Sequence, residues 1–175
     1  LIATAFYAQD VAILVKAGEA LGKDMREYRV LHEKIRAAFQ KEFIRDGMIT
    51  SDTQTAWVLA LRFGLLDDPT AGARHLVALL SETGHMTTGF VGPPHLLHVL
   101  HENGYTEEAY SLLLRRDYPS WLYPVTKGAT TMWEHWDGIR PDGTLWSADM
   151  NSFNHYAYCA VGDLMYEVAA GIAPD

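Results

Sequence analysis

The feature that most constrains the fold of this 175-residue chain is a series of apolar repeats at helical spacing, separated by glycine or proline. The first repeat covers residues 3–21 and is followed by Gly22, a residue that commonly ends helices. A second apolar stripe, at residues 28–39, lies opposite a charged face, so we expect that helix on the outside of the protein. Residues 53–63 are apolar on all sides and predict a buried helix.

Capping residues predict where several of these helices begin. Asp24, with Glu27 three residues later, resembles a capping box for the second helix. Ser51 or Asp52 is expected to cap the third helix. A fourth helix is predicted from Asp68 to about residue 84, because a proline in its first turn favours helix initiation.

The second half of the chain continues the same pattern. Helices are predicted at residues 93–104, 106–114 and 152–170, with a turn or two of helix around Trp121. A period-2 pattern typical of strands occurs only as a short extension at residues 144–146. The sequence therefore predicts an all-α protein of about seven helices, built from stacked αα-hairpins in two layers. A helical solenoid and part of an α/α toroid both fit, although no fixed repeat length supports the solenoid.

Composition excludes several functional classes. Lys and Arg total 14 against 22 Asp and Glu, for a formal charge of −8, so the basic surface of a nucleic-acid-binding protein is missing. Residues 1–18 contain no basic leader and include an Asp within the apolar part, so we expect neither a signal peptide nor a membrane span. The absence of an initiating Met indicates an excerpt from a longer protein. The single cysteine, Cys159, lies in an apolar run and is expected to be a buried free thiol.

Residues 128–158 have the composition of a sugar-binding site. Indole faces stack on the C–H faces of a pyranose, while acids and amides bind its hydroxyls or transfer protons. The candidate residues of this stretch are Trp133, Glu134, Trp136, Asp137, Trp146, Asp149, Asn151, Asn154 and His155.

A separate set of histidines has the spacing of a possible metal site. His95, His98 and His101, followed by Glu102, recur every three residues along one predicted helix, so neighbouring pairs are close enough to share a metal ion. Without a further ligand from elsewhere, a coincidental histidine-rich face is the simpler interpretation. We therefore expect no metal site and no cofactor.

Five motifs carry a resemblance to a known family. The segments QTA (54–56), TTGF (87–90), YPSW (118–121), GATTMWEHWDG (128–138) and MNSFNHYAY (150–158) resemble bacterial α-L-rhamnosidases of glycoside hydrolase family 78. The resemblance implies an (α/α)6 barrel catalytic domain that hydrolyses terminal α-L-rhamnosides with inversion, and hence a rhamnose-containing glycoside as the ligand. It also implies that Glu134 is the general base and that His155 contacts the sugar.

Inverting hydrolysis accounts for these residue types. It needs a protonated acid on the leaving oxygen and an ionised carboxylate about 6.5–9.5 Å away, with a water between that carboxylate and the sugar. We expect Trp133 and Trp136 to form walls of the subsite, and Asn154 or Asp137 to orient His155. Trp133 and Trp136 lie on either side of Glu134 and His135 in the sequence. Successive side chains of an extended segment point to opposite faces, so these four side chains could not all face the ligand.

The resemblance also implies what the chain does not contain. In the family the general acid lies in the earlier half of a barrel of twelve helices, so we expect these residues to form the later part of the catalytic domain, ending before the β-sandwich that usually follows. Alone, this part should not turn over substrate. Its inner helices should expose apolar flanks and favour self-association.

Two alternatives remain open at this stage. The chain fits a non-catalytic helical scaffold or carbohydrate-binding remnant, and it fits another α/α-barrel glycosidase or phosphorylase with a different sugar specificity.

Overall fold

The computed structural model describes residues 1–173, and in that range nearly all of the regular secondary structure is helical, which confirms the all-α class. The chain divides into two compact units, Leu1–Leu76 and Val77–Asp175. The α-helices are α1 (Ile2–Ala20), α2 (Arg26–Phe43), α3 (Gln54–Arg62), α4 (Pro69–Thr83), α5 (Pro93–Glu102), α6 (Thr106–Leu114), α7 (Leu122–Thr126) and α8 (Val161–Leu164). A 3-10 turn (Ala157–Ala160) precedes α8 and a π-helical turn (Met165–Ala169) follows it.

Unit 1 is built on the α1–α2 hairpin, with α3 buried as predicted. The α2 helix buries Ile35 and Phe39 and exposes most of its charged face, as its apolar stripe predicted. Gly18 leaves room for the buried Met25 side chain, because a Cβ there would lie 2.1 Å from Sδ of Met25 and would displace it. Gly22 follows α1 with a φ of +67°, a conformation that glycine adopts without steric cost.

The helix caps differ from the predicted ones. Met25 precedes α2 and no side chain caps it, although Asp24 accepts a hydrogen bond from the Arg26 amide at 3.1 Å, so the predicted capping box is wrong. At α3 the cap is Thr53, whose side chain accepts from the Ala56 amide at 3.2 Å. Asp52 does not cap α3 because its carboxylate is used elsewhere in the unit.

Asp52 holds two side chains of unit 1 through one oxygen. Its Oδ1 accepts from the Trp57 indole Nε1 at 2.7 Å and lies 2.8 Å from His75 Nε2. Trp57 is fully buried in α3 and packs against the His75 ring, with centroids 4.8 Å apart. Burial alone would raise the pKa of Asp52, but the hydrogen bonds from Trp57 and His75 and the charge on His75 lower it below its usual value.

A short β-hairpin in unit 1 was missed by the sequence analysis. Strands β1 (Ile44–Arg45) and β2 (Met48–Ile49) pair antiparallel across Asp46 and Gly47, whose φ values are +52° and +77°. An Asp-Gly pair between apolar residues is a strong signal for a two-residue hairpin turn, so the sequence contained the necessary information.

In unit 2, α5 and α6 form a second hairpin and α5 buries most of its length. The structure corrects the last predicted helix, because residues 152–156 are not helical and the helical run begins only at Ala157. The physical reason is that Ser152 and Phe153 use their carbonyls, and His155 its amide, in hydrogen bonds to residues 131–134. The short strand-like segment expected at residues 144–146 forms only an isolated β-bridge, between Ile139 and Leu145.

Three expectations concern the surface of the protein. Cys159 is exposed, so its predicted burial is wrong, because the 3-10 turn directs its neighbours Ala157 and Tyr158 inward instead. No helix within residues 1–173 combines the length and the apolar character needed to cross a bilayer. The α1 helix exposes Ile2, Tyr7, Ile13 and Leu14. Self-association through such apolar flanks stays a prediction.

The Asp52 contacts generate a prediction about acid stability. Because the pKa of Asp52 is lower in the folded chain, its contribution is present above the unfolded pKa and is lost as the pH falls through the folded pKa. We expect Asp52→Asn to lower the free energy of unfolding by about 1 kcal/mol at pH 7, a value that allows for the partly exposed carboxylate. Urea unfolding at pH 7 and at pH 3 should show that the difference in the free energy of unfolding becomes smaller in acid.

Asp10→Asn, on the exposed face of α1, is the control for this experiment. Equal stability of Asp52→Asn and wild type at pH 7 would contradict the assignment.

Candidate active site

Two segments of unit 2 lie side by side and bring the main candidates together. The Glu134 amide donates to the Ser152 carbonyl at 2.9 Å, and the His155 amide donates to the Met132 carbonyl at 2.8 Å. The Thr131 hydroxyl also donates to the Phe153 carbonyl. Glu134 and His155, which are distant in the sequence, are therefore held on adjacent backbone segments.

The pairing between these segments contains one extra residue. Between the two backbone hydrogen bonds, Phe153 and Asn154 lie opposite Trp133 alone, which is the arrangement of a β-bulge. Phe153 packs against the Trp133 indole with ring centroids 5.0 Å apart, whereas Asn154 is exposed. A bulge re-aims the side chains that follow it, and His155 is the next residue.

Glu134 lies between two packed aromatic pairs of the loop. Its side chain is half-buried, so it is neither sealed within apolar groups nor fully in solvent. Its backbone amide is fixed by Ser152, while the residues on either side, Trp133 and His135, belong to packed aromatic pairs. Glu134 thus lies on a backbone segment that is paired with residues 152–155, and the residue is partly exposed.

His155 is positioned by aromatic stacking and by one hydrogen bond. Its ring stacks on Phe90, with centroids 5.0 Å apart and an angle of 20°, and on Tyr156, at 5.3 Å and 14°. Its Nδ1 accepts from the Ala157 amide at 3.2 Å, so the proton of the neutral imidazole lies on Nε2. His155 can therefore donate a hydrogen bond through Nε2 to a ligand hydroxyl.

Phe90 was not identified as a site residue from the sequence, although its TTGF motif carried the family resemblance. The structure places it on the His155 ring and edge-on to Tyr158, at 5.1 Å, with 42% of its surface exposed. An aromatic residue in a loop without periodicity gives no local indication of such a contact, and only the tertiary structure reveals it.

The two predicted subsite tryptophans are buried. Trp133 is 4% exposed and Trp136 is 8% exposed, so neither presents a free face to a ligand in this structure. Trp136 stacks on Tyr158 at 3.6 Å and meets Trp121 edge-on at 5.5 Å. Both indoles belong to the buried aromatic packing of the loop, and their role as subsite walls stays a prediction. Gly138 permits this packing because a Cβ there would lie 3.0 Å from Phe153 and 3.1 Å from Trp133.

The loop's exposed indole is Trp146 instead. It stacks on the His135 ring with centroids 3.6 Å apart and an angle of 11°, and it remains partly exposed. The Nε2 atom of His135 is buried without a hydrogen-bond partner, so this ring is held by stacking. Trp146 is the loop tryptophan with area available for a sugar face.

Asp137 and Asn154 do not orient His155 as expected. The hydrogen bond to the His155 ring comes from the Ala157 amide. Asp137 is half-buried, and its negative charge, after the larger effect of burial, raises the pKa of Tyr118 and of Tyr123 above their usual values. A ligand role for Asp137 and Asn154 stays a prediction.

Comparisons with known proteins identify the family of this chain. The profile of the bacterial alpha-L-rhamnosidase 6 hairpin glycosidase domain matches residues 1–169. An α-L-rhamnosidase of Streptomyces avermitilis is 49% identical over 177 residues, covering 99% of this chain and 17% of that protein, and one of Formosa agariphila is 40% identical, covering 99% and 20%.

Solved structures give the same result. The crystal structure of the Streptomyces avermitilis enzyme complexed with L-rhamnose superposes with a TM-score of 0.95 at 47% identity, covering 99% of this chain and 17% of that one. The native enzyme of Aspergillus terreus superposes with a TM-score of 0.93 at 34% identity, covering 97% and 20%. The chain thus spans about a fifth, or less, of the length of the relatives that it matches.

The packing around Trp136 generates a prediction about alkaline pH. Burial, with a smaller effect from Tyr118, raises the pKa of Tyr158 to about 12. This contribution to stability is complete below the unfolded pKa, near 10, and is lost as the pH rises through the folded value. Titration at 295 nm should show one tyrosine ionising near pH 12, and that component should be missing in Tyr158→Phe. An unchanged titration of the variant would contradict the assignment.

Proposed function

Because this chain belongs to the bacterial α-L-rhamnosidase six-hairpin glycosidase family, we propose that it supplies the general base of an inverting active site that releases terminal α-L-rhamnose. The observation that carries the proposal is the placement of Glu134, half-buried on a backbone paired with the segment of His155. The family resemblance of the surrounding motif gives the same residue the same role.

In the proposed mechanism Glu134 deprotonates a water molecule that attacks the anomeric carbon. An ionised carboxylate in contact with water suits this step, and the half-burial of Glu134 leaves room for that contact. The immobilised backbone keeps the carboxylate in place during the reaction, so little reorganisation is needed in the transition state.

His155 binds the sugar rather than transferring its proton. Its Nε2–H donates to a ring hydroxyl, and stacking by Phe90 and Tyr156 holds the imidazole plane at a defined angle. Trp146 offers an indole area near the same loop for the apolar face of the sugar. Rhamnose is the proposed sugar because the Streptomyces avermitilis relative, with a TM-score of 0.95, was crystallised with L-rhamnose.

The acid that protonates the leaving oxygen is proposed to come from outside residues 1–175. This chain corresponds to 17–20% of its relatives' length, which leaves most of their residues to contribute the other half of the site. We accordingly place residues 1–175 in the later part of an (α/α)6 catalytic domain, as the motifs indicate.

A chimera tests the role of Glu134. Residues 1–175 replace the matching segment of the Streptomyces avermitilis enzyme, and hydrolysis of an aryl α-L-rhamnoside is measured. We expect Glu134→Gln to lower kcat by about 10²–10⁴-fold with a smaller change in KM, because it removes a base without removing a sugar contact. Glu42→Gln, at an exposed position of α2, is the matched control. Proton NMR should show β-L-rhamnose as the first product. Full activity of Glu134→Gln, or α-L-rhamnose as the first product, would refute the proposal.

The isolated chain tests the origin of the acid. We expect the purified 175-residue chain to release no rhamnose from an aryl α-L-rhamnoside, because it carries the base alone. Rhamnose release that disappears in Glu134→Gln would show that these residues contain both catalytic groups. Binding of rhamnose without turnover, measured by isothermal titration calorimetry, is compatible with the proposal.

A further inference from the structure

One histidine of α5 is buried in an unusual environment. His98 is 4% exposed, and its Nε2 atom is shielded from solvent without a hydrogen-bond partner. The sequence grouped His98 with His95 and His101, but the acidic side chains that approach His98 come from the end of the chain. His101 instead places its Nδ1 atom 3.0 Å from the Thr106 hydroxyl.

Two carboxylates from the end of the chain face His98. Asp163 Oδ2 lies 3.3 Å from Nε2 of the imidazole, and Glu167 Oε2 lies 3.8 Å from Nδ1. One donor atom from each of the three residues falls within 4.8 Å of the others. Asp163 belongs to α8 and Glu167 to the π-helical turn, and their spacing of four residues puts both on the same face of the helical run.

The geometry is compatible with a metal ion and leaves a simple ion pair incompletely satisfied. If Nε2 carried a proton for Asp163, the contact would leave a buried N–H without a hydrogen bond, which costs about 1–3 kcal/mol. Two ligands bound at about 2.1 Å to a tetrahedral ion lie about 3.4 Å apart, which is close to the observed separation of Nε2 and Oδ2. A cation between them would use the lone pair of Nε2 and the charge of Asp163.

We propose that His98, Asp163 and Glu167 form a binding site for a divalent transition metal ion, with Zn²⁺ the best match. An imidazole combined with carboxylates favours Zn²⁺ over Ca²⁺ and Mg²⁺, which prefer ligand sets made of oxygen alone. Asp163 is well exposed, so the ion can enter from solvent and complete its coordination with water. Glu167 either binds the ion directly or accepts from Nδ1 as an orienting carboxylate, a common arrangement around metal-bound histidine.

The ion would act as a cross-link rather than as part of the sugar chemistry. It joins the buried helix α5 to the helical run that starts at Ala157, directly after His155. Because such an ion binds the folded chain and not the unfolded one, it raises the temperature of unfolding. This site is independent of the proposed glycosidase function.

Metal titration of the chelator-treated 175-residue chain tests the site. We expect one equivalent of Zn²⁺ by calorimetry, a higher Tm with Zn²⁺, and a visible absorption band with Co²⁺ that is typical of tetrahedral coordination. The double variant Asp163→Asn/Glu167→Gln removes both charges at nearly constant shape and should weaken Zn²⁺ binding at least about 10-fold. Mg²⁺ and Ca²⁺ at the same concentrations should not raise the Tm.

The controls separate this site from other ligands on the chain. Glu107→Gln, an exposed acid of α6, should bind Zn²⁺ like the wild type. His98→Gln is a second variant that should abolish the Co²⁺ band, and far-UV circular dichroism verifies that each variant is folded. Failure of the folded wild type to bind Zn²⁺ at millimolar concentration would overturn the proposal. Equal binding by the double variant would overturn it as well, because the ion would then lie elsewhere.

Discussion

The candidate site depends on the stack formed by Trp121, Trp136 and Tyr158. Trp136 lies flat on Tyr158 at 3.6 Å, and Trp121 meets Trp136 edge-on while its Nε1 donates to the Tyr158 carbonyl at 3.0 Å. Each such aromatic pair contributes about 0.5–1.5 kcal/mol beyond its burial. These contacts join the residues before α7, the long loop and the last helical run. The loop that carries Glu134 has no regular secondary structure, so the packing of these aromatic rings holds it in place.

The tryptophans beside Glu134 take part in this packing. The loop alternates buried indoles with half-buried polar residues, so Trp133 and Trp136 anchor the segment from which Glu134 and His135 project. A catalytic carboxylate is effective when the groups that support it do not move, and buried aromatic rings provide that rigidity. The aromatic surface open to a ligand consists instead of Phe90 and Trp146, together with the imidazole of His155.

The helical run from Ala157 to Ala169 connects the two sites proposed for unit 2. Its first residue donates the amide hydrogen bond that sets the tautomer of His155. Its later turns carry Asp163 and Glu167 toward the buried His98. Its irregular geometry, from a 3-10 turn through α-helix to a π-helical turn, is common where a helix meets functional requirements. A metal ion there would stabilise the helical run that follows His155.

The amino-acid sequence by itself determined the all-α class and helices such as α1, α4 and α5, because helical periodicity, glycine and proline act within a few residues. It also determined the candidates Glu134 and His155, because each lies in a contiguous motif. Only the tertiary structure decided that residues 152–156 leave the predicted helix to pair with residues 131–134. It also decided that Trp133 and Trp136 are buried and that His98 faces Asp163, which is distant in the sequence. These outcomes depend on contacts between distant segments, whose free energies outweigh local preferences that are worth less than about 1 kcal/mol per residue.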